Sequence, residues 1–119
     1  MEALASWDRP FGIWHYTLSH STLLLRSIDP AQSPNRIDVL FTMVSRICLS
    51  EFYESLTIHL ASTEEKASVL DEDLRSEPRA RLYLINGGRD YVVASNCNWH
   101  EDEGDQHSPS AFGPLRGNA

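Results

Sequence analysis

Imidazole nitrogens and carboxylate oxygens are common side-chain ligands of metal ions, and one stretch of this chain concentrates them. Residues 99–107 read Trp-His-Glu-Asp-Glu-Gly-Asp-Gln-His. A metal centre built here would use His100, His107 and Glu101, with help from the neighbouring acids. The stretch lacks the order of a calcium-binding EF-hand loop, which wants alternating acids, a central glycine and a final glutamate. The competing reading is a solvated acidic tail, the ordinary state of an acidic run. His15, His20 and His59 fall on β-type segments or a turn, with none of the spacings of a zinc motif. They read as surface or hydrogen-bonded histidines.

Nucleophilic chemistry has less to work with. No Gly-x-Ser-x-Gly elbow and no cysteine-protease signature occurs. Cys48 and Cys97 lie far apart and form no Cys-x-x-Cys pair. Gly87-Gly88 precedes neither a helix nor a Gly-Lys-Ser/Thr signature, so it reads as a turn and not as a phosphate loop. Trp14, Tyr16 and Tyr91 could line a pocket if the strands closed into a small barrel, since ligand cavities are apolar with few polar groups. Equally, aromatic side chains dominate the packing of ordinary cores. No cofactor is implied by any of these patterns.

These side chains need elements to position them, and the clearest is residues 81–95. Asn86-Gly87-Gly88 tolerates the positive φ of a reversing turn. Leu82–Ile85 enters it and Tyr91–Ala94 leaves. The expected register sets Leu84 opposite Tyr91 and Leu82 opposite Val93. Both faces of this hairpin are then apolar, as in strands covered on two sides.

Residues 11–28 form a second expected hairpin, with Ser19-His20 as the loop, Tyr16 opposite Leu23 and Trp14 opposite Leu25. Its apolar face would hold Trp14, Tyr16, Leu18, Leu23 and Leu25; the other would hold Ile13, His15, Thr17, Thr22, Leu24 and Arg26. Residues 29–35 carry two prolines among Asp, Ser and Asn, and read as a loop. In residues 36–49, Ile37, Val39, Phe41, Met43, Ile47 and Leu49 share one parity. That pattern predicts one long half-buried strand with a bend or bulge near Ser45. Residues 50–55 read as a turn, and Leu56, Ile58 and Leu60 mark another strand. Ser62-x-x-Glu65 has the form of a capping box, and Ala67, Leu70 and Leu74 follow at helical spacing, predicting about three turns of helix over 62–76.

Length and charge bound the rest. The chain has 119 residues and is 41% hydrophobic, enough for one core. Its net charge is −7, of which residues 62–78 carry −4 (two basic, six acidic) and residues 97–119 carry −3 (one basic, four acidic). The remainder is neutral, so no basic patch is expected for nucleic acid or an anionic membrane. No apolar run reaches signal-peptide length or the roughly 20 residues of a spanning helix. The expected compartment is therefore cytoplasmic, with reduced thiols.

The fold expected is all-β: an antiparallel meander-like sandwich or small open barrel of about six strands with one short helix. Residues 1–96 would form a single domain and residues 97–119 a poorly ordered acidic tail, anchored if at all by Phe112 and Leu115. The functional reading favoured by the residues is a non-enzymatic binding protein. It would be an acidic partner of a basic protein, in the manner of a toxin-immunity protein, or a homodimer through an open sheet edge. A small-ligand-binding β-barrel and a metal-dependent enzyme using histidines and tail carboxylates are the alternatives.

Overall fold

Period-two alternation commits most of the chain to strands with one apolar face, and such faces are stable only when set against another layer. The computed structural model of the protein describes residues 3–27, 36–69 and 79–102. They hold ten strands: β1 (Ala5–Trp7), β2 (Phe11–Thr17), β3 (Thr22–Ser27), β4 (Arg36–Thr42), β5 (Arg46–Cys48), β6 (Phe52–Tyr53), β7 (Leu56–Leu60), β8 (Arg81–Ile85), β9 (Asp90–Ala94) and β10 (Asn96–Asp102). One helix, α1 (Thr63–Val69), lies between β7 and β8. The strands form two five-stranded antiparallel sheets, β1-β7-β8-β9-β5 and β10-β4-β3-β2-β6. The fold is thus the open sandwich and not the barrel.

Inward-facing residues of both sheets build the core. Phe11, Leu23, Leu25, Val39 and Phe41 of the second sheet meet Leu56, Ile58, Tyr83, Ile85 and Val92 of the first, all buried. Phe41 and Tyr83 touch edge-on across the interface at 5.6 Å between centroids. Trp7 closes one side of the core, 5.4 Å from Phe11 and 5.7 Å from Trp99. The hairpin β8–β9 adopts the expected register, with Leu84 opposite Tyr91 and Leu82 opposite Val93. Its second apolar face is also used. Leu82, Leu84 and Val93 form a smaller buried cluster with Ala80, against which Ala61 and Tyr91 pack.

Four strands come on top of the expected six: β1 ahead of the first hairpin, β6 in the expected turn, and β5 and β10, which arise at two crossings between the sheets. The run 36–49 is two strands, β4 in one sheet and β5 in the other. Met43 takes a left-handed φ of 54° at the crossing. Val44 N–H then donates to Ser21 O and Ser45 N–H to Val93 O. The alternation breaks at the crossing: Met43, expected inside, is 56% exposed and Val44 enters the core in its place, while Ile47 packs on the same core as Phe41 from the other sheet. Beside it, the chain crosses back at Ser95, whose N–H donates to Thr42 O. Asn96–Asp102, expected as the beginning of the tail, is instead a full strand paired along β4. The expected turn at 50–55 contains the short strand β6, paired to β2.

The β2–β3 hairpin also departs from expectation. Tyr16 does face Leu23, but the register shifts between Ile13 and His15, and Leu25 faces Ile13 instead of Trp14. A bulge of this kind sets two residues of one strand against one of the other and turns a side chain aside. The connection is a 3₁₀ turn at Leu18–His20 followed by Ser21 at φ 51°. Leu18, expected inside, is 78% exposed. The capping box is formed as expected: Glu65 N–H donates to Ser62 Oγ at 3.2 Å, and Ser62 N–H to Glu65 Oε1 at 3.0 Å. Leu70 and Leu74 lie outside the described residues.

Candidate functional site

Two constellations stand out once the strands are in register. The first is a row across the face of the second sheet that points away from the core. Phe52, Gly12, Arg26, Asp38 and His100 occupy facing positions on β6, β2, β3, β4 and β10. Arg26 donates from Nε to Asp38 Oδ1 at 2.8 Å and from Nη2 to Asp38 Oδ2 at 3.1 Å, a bidentate pair. The two side chains are only 2% and 1% exposed. Arg36 lies along the same carboxylate, its Nε 4.0 Å from Oδ2. The Trp14 ring, turned aside by the bulge, sits 5.1 Å from the Arg26 guanidinium carbon, within cation–π range. His15 hydrogen-bonds Thr17 Oγ1 through Nε2 at 2.7 Å. Burying two ions is costly, and the bidentate geometry offsets that cost while defining one pairing of β3 with β4. Arg26 and Asp38 therefore act here as an electrostatic lock between strands.

The second constellation is the segment joining β5 to β7, which carries β6. Tyr53 faces inward and donates its hydroxyl hydrogen to Asp90 Oδ2 at the start of β9. Ser50 N–H donates to the Tyr53 oxygen at 2.8 Å, and Ser50 Oγ donates to Asp90 Oδ2 at 3.2 Å. Burial, reinforced by the hydrogen bond to Asp90, pushes the Tyr53 phenol up to about 12. Ile13 N–H donates to Glu51 O at 3.0 Å. At the far end Asn86 holds a left-handed φ of 48°. It accepts from Thr57 N–H through Oδ1 at 2.7 Å and donates from Nδ2 to Ser55 O at 2.8 Å. A short segment is thus braced at both ends and in the middle. Phe52 projects from it, 48% exposed. Glu51 and Glu54, on either side of the β6 pair, are exposed as well.

The expected site residues are dispersed. Trp14 lies against Arg26 on the outer side of the second sheet, and Tyr91 packs with Leu82, Leu84 and Val93 on the outer side of the first. Both sheets and the core lie between them. Tyr16 faces Leu23 and is partly exposed. These three do not line one cavity, and the interior that a barrel would have offered is filled by the core. His100 and Glu101 are consecutive in β10, paired to Asp38 and Ile37 respectively, so they point to opposite faces. His107 lies outside the described residues. Among the described residues no group of three or more His, Cys, Asp or Glu is placed to hold a metal ion. His59 is on β7 of the first sheet and His15 on β2 of the second, and they do not converge. Both cysteines are free. Burial pushes the Cys97 thiol up to about 12, so it is protonated at neutral pH.

Sequence reasoning missed the lock and the braced segment. A signal for the lock was present: Arg26 and Asp38 both stand on the polar side of strands joined by one loop, where opposite charges can face each other. Phe52 was hidden inside a six-residue stretch read as a turn. Comparison with protein-family models, with curated proteins and with solved structures found no match for this chain.

Proposed function

We propose that this protein is a non-enzymatic binding protein whose partner is a basic protein surface. The observation that carries the reading is the way the fold sorts charge. Arg26, Arg36 and Asp38 sum to +1 and are buried. The rest of the chain therefore carries −8, against −7 for the whole. Among the described residues, eight basic and nine acidic, setting this buried +1 aside changes the sum from −1 to −2, and a field of that sign speeds encounter with cationic partners. The state of the buried ionisable groups supports the same reading. The Tyr53 phenol and the Cys97 thiol are both pushed up to about 12, well above the range suited to proton transfer or nucleophilic attack near neutrality. The Arg26 guanidinium is engaged bidentately with Asp38.

The test is capture of a partner, its identification, and titration of the purified pair at increasing salt. A partner of high isoelectric point is expected, with affinity falling about tenfold or more as ionic strength rises from roughly 0.05 to 0.3 M, because exposed charges are screened within a Debye length. Tight binding to a neutral or acidic partner with no salt dependence would overturn the reading.

A further inference from the structure

We propose that the β5–β7 segment around Phe52 is the contact surface, and that it takes a basic protein surface with an apolar recess flanked by lysine or arginine. The inference rests on the reading above and adds the location and the chemistry of the recess. The first support is presentation. Large apolar side chains on a surface are ordinary when scattered. Phe52 differs in being carried by backbone that is tied down on every side, by Tyr53, Ser50 and Asp90, by Ile13 to Glu51, and by Asn86 to Ser55 and Thr57. Backbone already fixed around an exposed aromatic residue has little order left to lose on binding, which is how an interface anchor gains affinity. Aromatic side chains are enriched at the centres of such interfaces.

The second support is charge. Glu51 and Glu54 flank Phe52 in sequence and are exposed. From Ile47 to Glu65 the sequence has four glutamates and neither lysine nor arginine. A partner cation beside the ring therefore meets carboxylates with no competing positive side chain along that run. Two apolar side chains are more exposed than Phe52, Met43 at 56% and Leu18 at 78%, and neither has an acidic residue within two positions in sequence; the more exposed is Leu18, in the turn between β2 and β3. It provides an internal control.

The experiment pans a random peptide library displayed on phage against the full chain and measures the selected peptides by fluorescence anisotropy. Enriched peptides are expected to combine lysine or arginine with an aliphatic or aromatic residue. Phe52→Ala is expected to weaken them about tenfold or more, the loss typical of an anchor. Glu51→Gln with Glu54→Gln alters no buried packing and is expected to weaken binding and flatten its salt dependence. Leu18→Ala and Glu64→Gln are expected to stay within about twofold, since changes away from the anchor contribute little. If basic peptides bind and Phe52→Ala and the double glutamate variant leave them unchanged, the location is refuted while the acidic-binder reading stands. If no peptide is enriched, or those enriched lack lysine and arginine, both fall.

Discussion

Removing the carboxylate of Asp38 is the sharpest test of how this sandwich is held in register. Arg26 and Asp38 are 2% and 1% exposed and joined by two hydrogen bonds of 2.8 and 3.1 Å, with the Arg36 Nε 4.0 Å away. In Asp38→Ala the two guanidinium groups stay in a site of low solvent access without the anion they face. Breaking a buried pair from one side costs about 3–5 kcal/mol, most of it the penalty of the charge left behind. A domain of this kind has about 5–15 kcal/mol in total, so the loss is a large fraction of its stability. For a chain of this size it corresponds to a fall of roughly 10–20 °C in Tm. Replacing both partners, as in Arg26→Met with Asp38→Leu, removes the charges together and is expected to be near neutral or stabilising. The assay is urea unfolding followed by tryptophan fluorescence, for which Trp14 is a local reporter because its ring lies over Arg26. If Asp38→Ala stays within about 1 kcal/mol of the parent with an unchanged m-value, the pair is not the lock described and the buried-charge reasoning is wrong.

Three further outcomes follow from the structure. In Tyr53→Phe the ring is kept and the hydroxyl that links Ser50 N–H to Asp90 is lost, so a destabilisation of about 1–3 kcal/mol is expected in the same urea assay; no change would mean the brace is not held by that hydroxyl. Cys97 is expected to resist alkylation at pH 8 in the folded protein while exposed Cys48 reacts, as read by mass spectrometry. The Cys97 thiol is raised from 9.0 and the Tyr53 phenol from 10.0, both to about 12. A raised folded value stabilises fully below the unfolded one, so stability should decline as pH climbs from about 9 towards 12. A flat alkaline profile would contradict both burial assignments.

The acidic exterior and the braced aromatic are connected through the fold. Arg26 and Asp38 stand on the outer side of the second sheet, in the same cross-strand row as Phe52, separated from it by Gly12. One register of β2, β3 and β6 therefore both sets Arg26 against Asp38 on the outer face and delivers Phe52 to the edge of the sheet. A slip of one residue in β3 would turn Arg26 towards the core and undo the pairing with Asp38.

Sequence by itself determined which side is buried where alternation runs unbroken, as in β8 and β9; the bulge in β2 and the crossing at Met43 overrode it elsewhere. Tyr83, Ile85, Val92 and Ala94 on one face and Leu82, Leu84 and Val93 on the other were legible from alternation around Asn86-Gly87-Gly88, as was the Ser62–Glu65 cap. These depend on neighbours in the chain, through turn chemistry and the period-two geometry of an extended backbone. Tertiary structure alone decided sheet membership. Phe41 and Ile47 read alike, since both point into one interior from opposite walls. Only pairing with strands far along the chain, β3 and β10 for one and β9 for the other, separates them. The β2 bulge set Trp14 against Arg26, and long-range pairing placed Tyr91 on the opposite outer face. A local pattern records whether a side chain is covered; it carries no information on which distant residue does the covering.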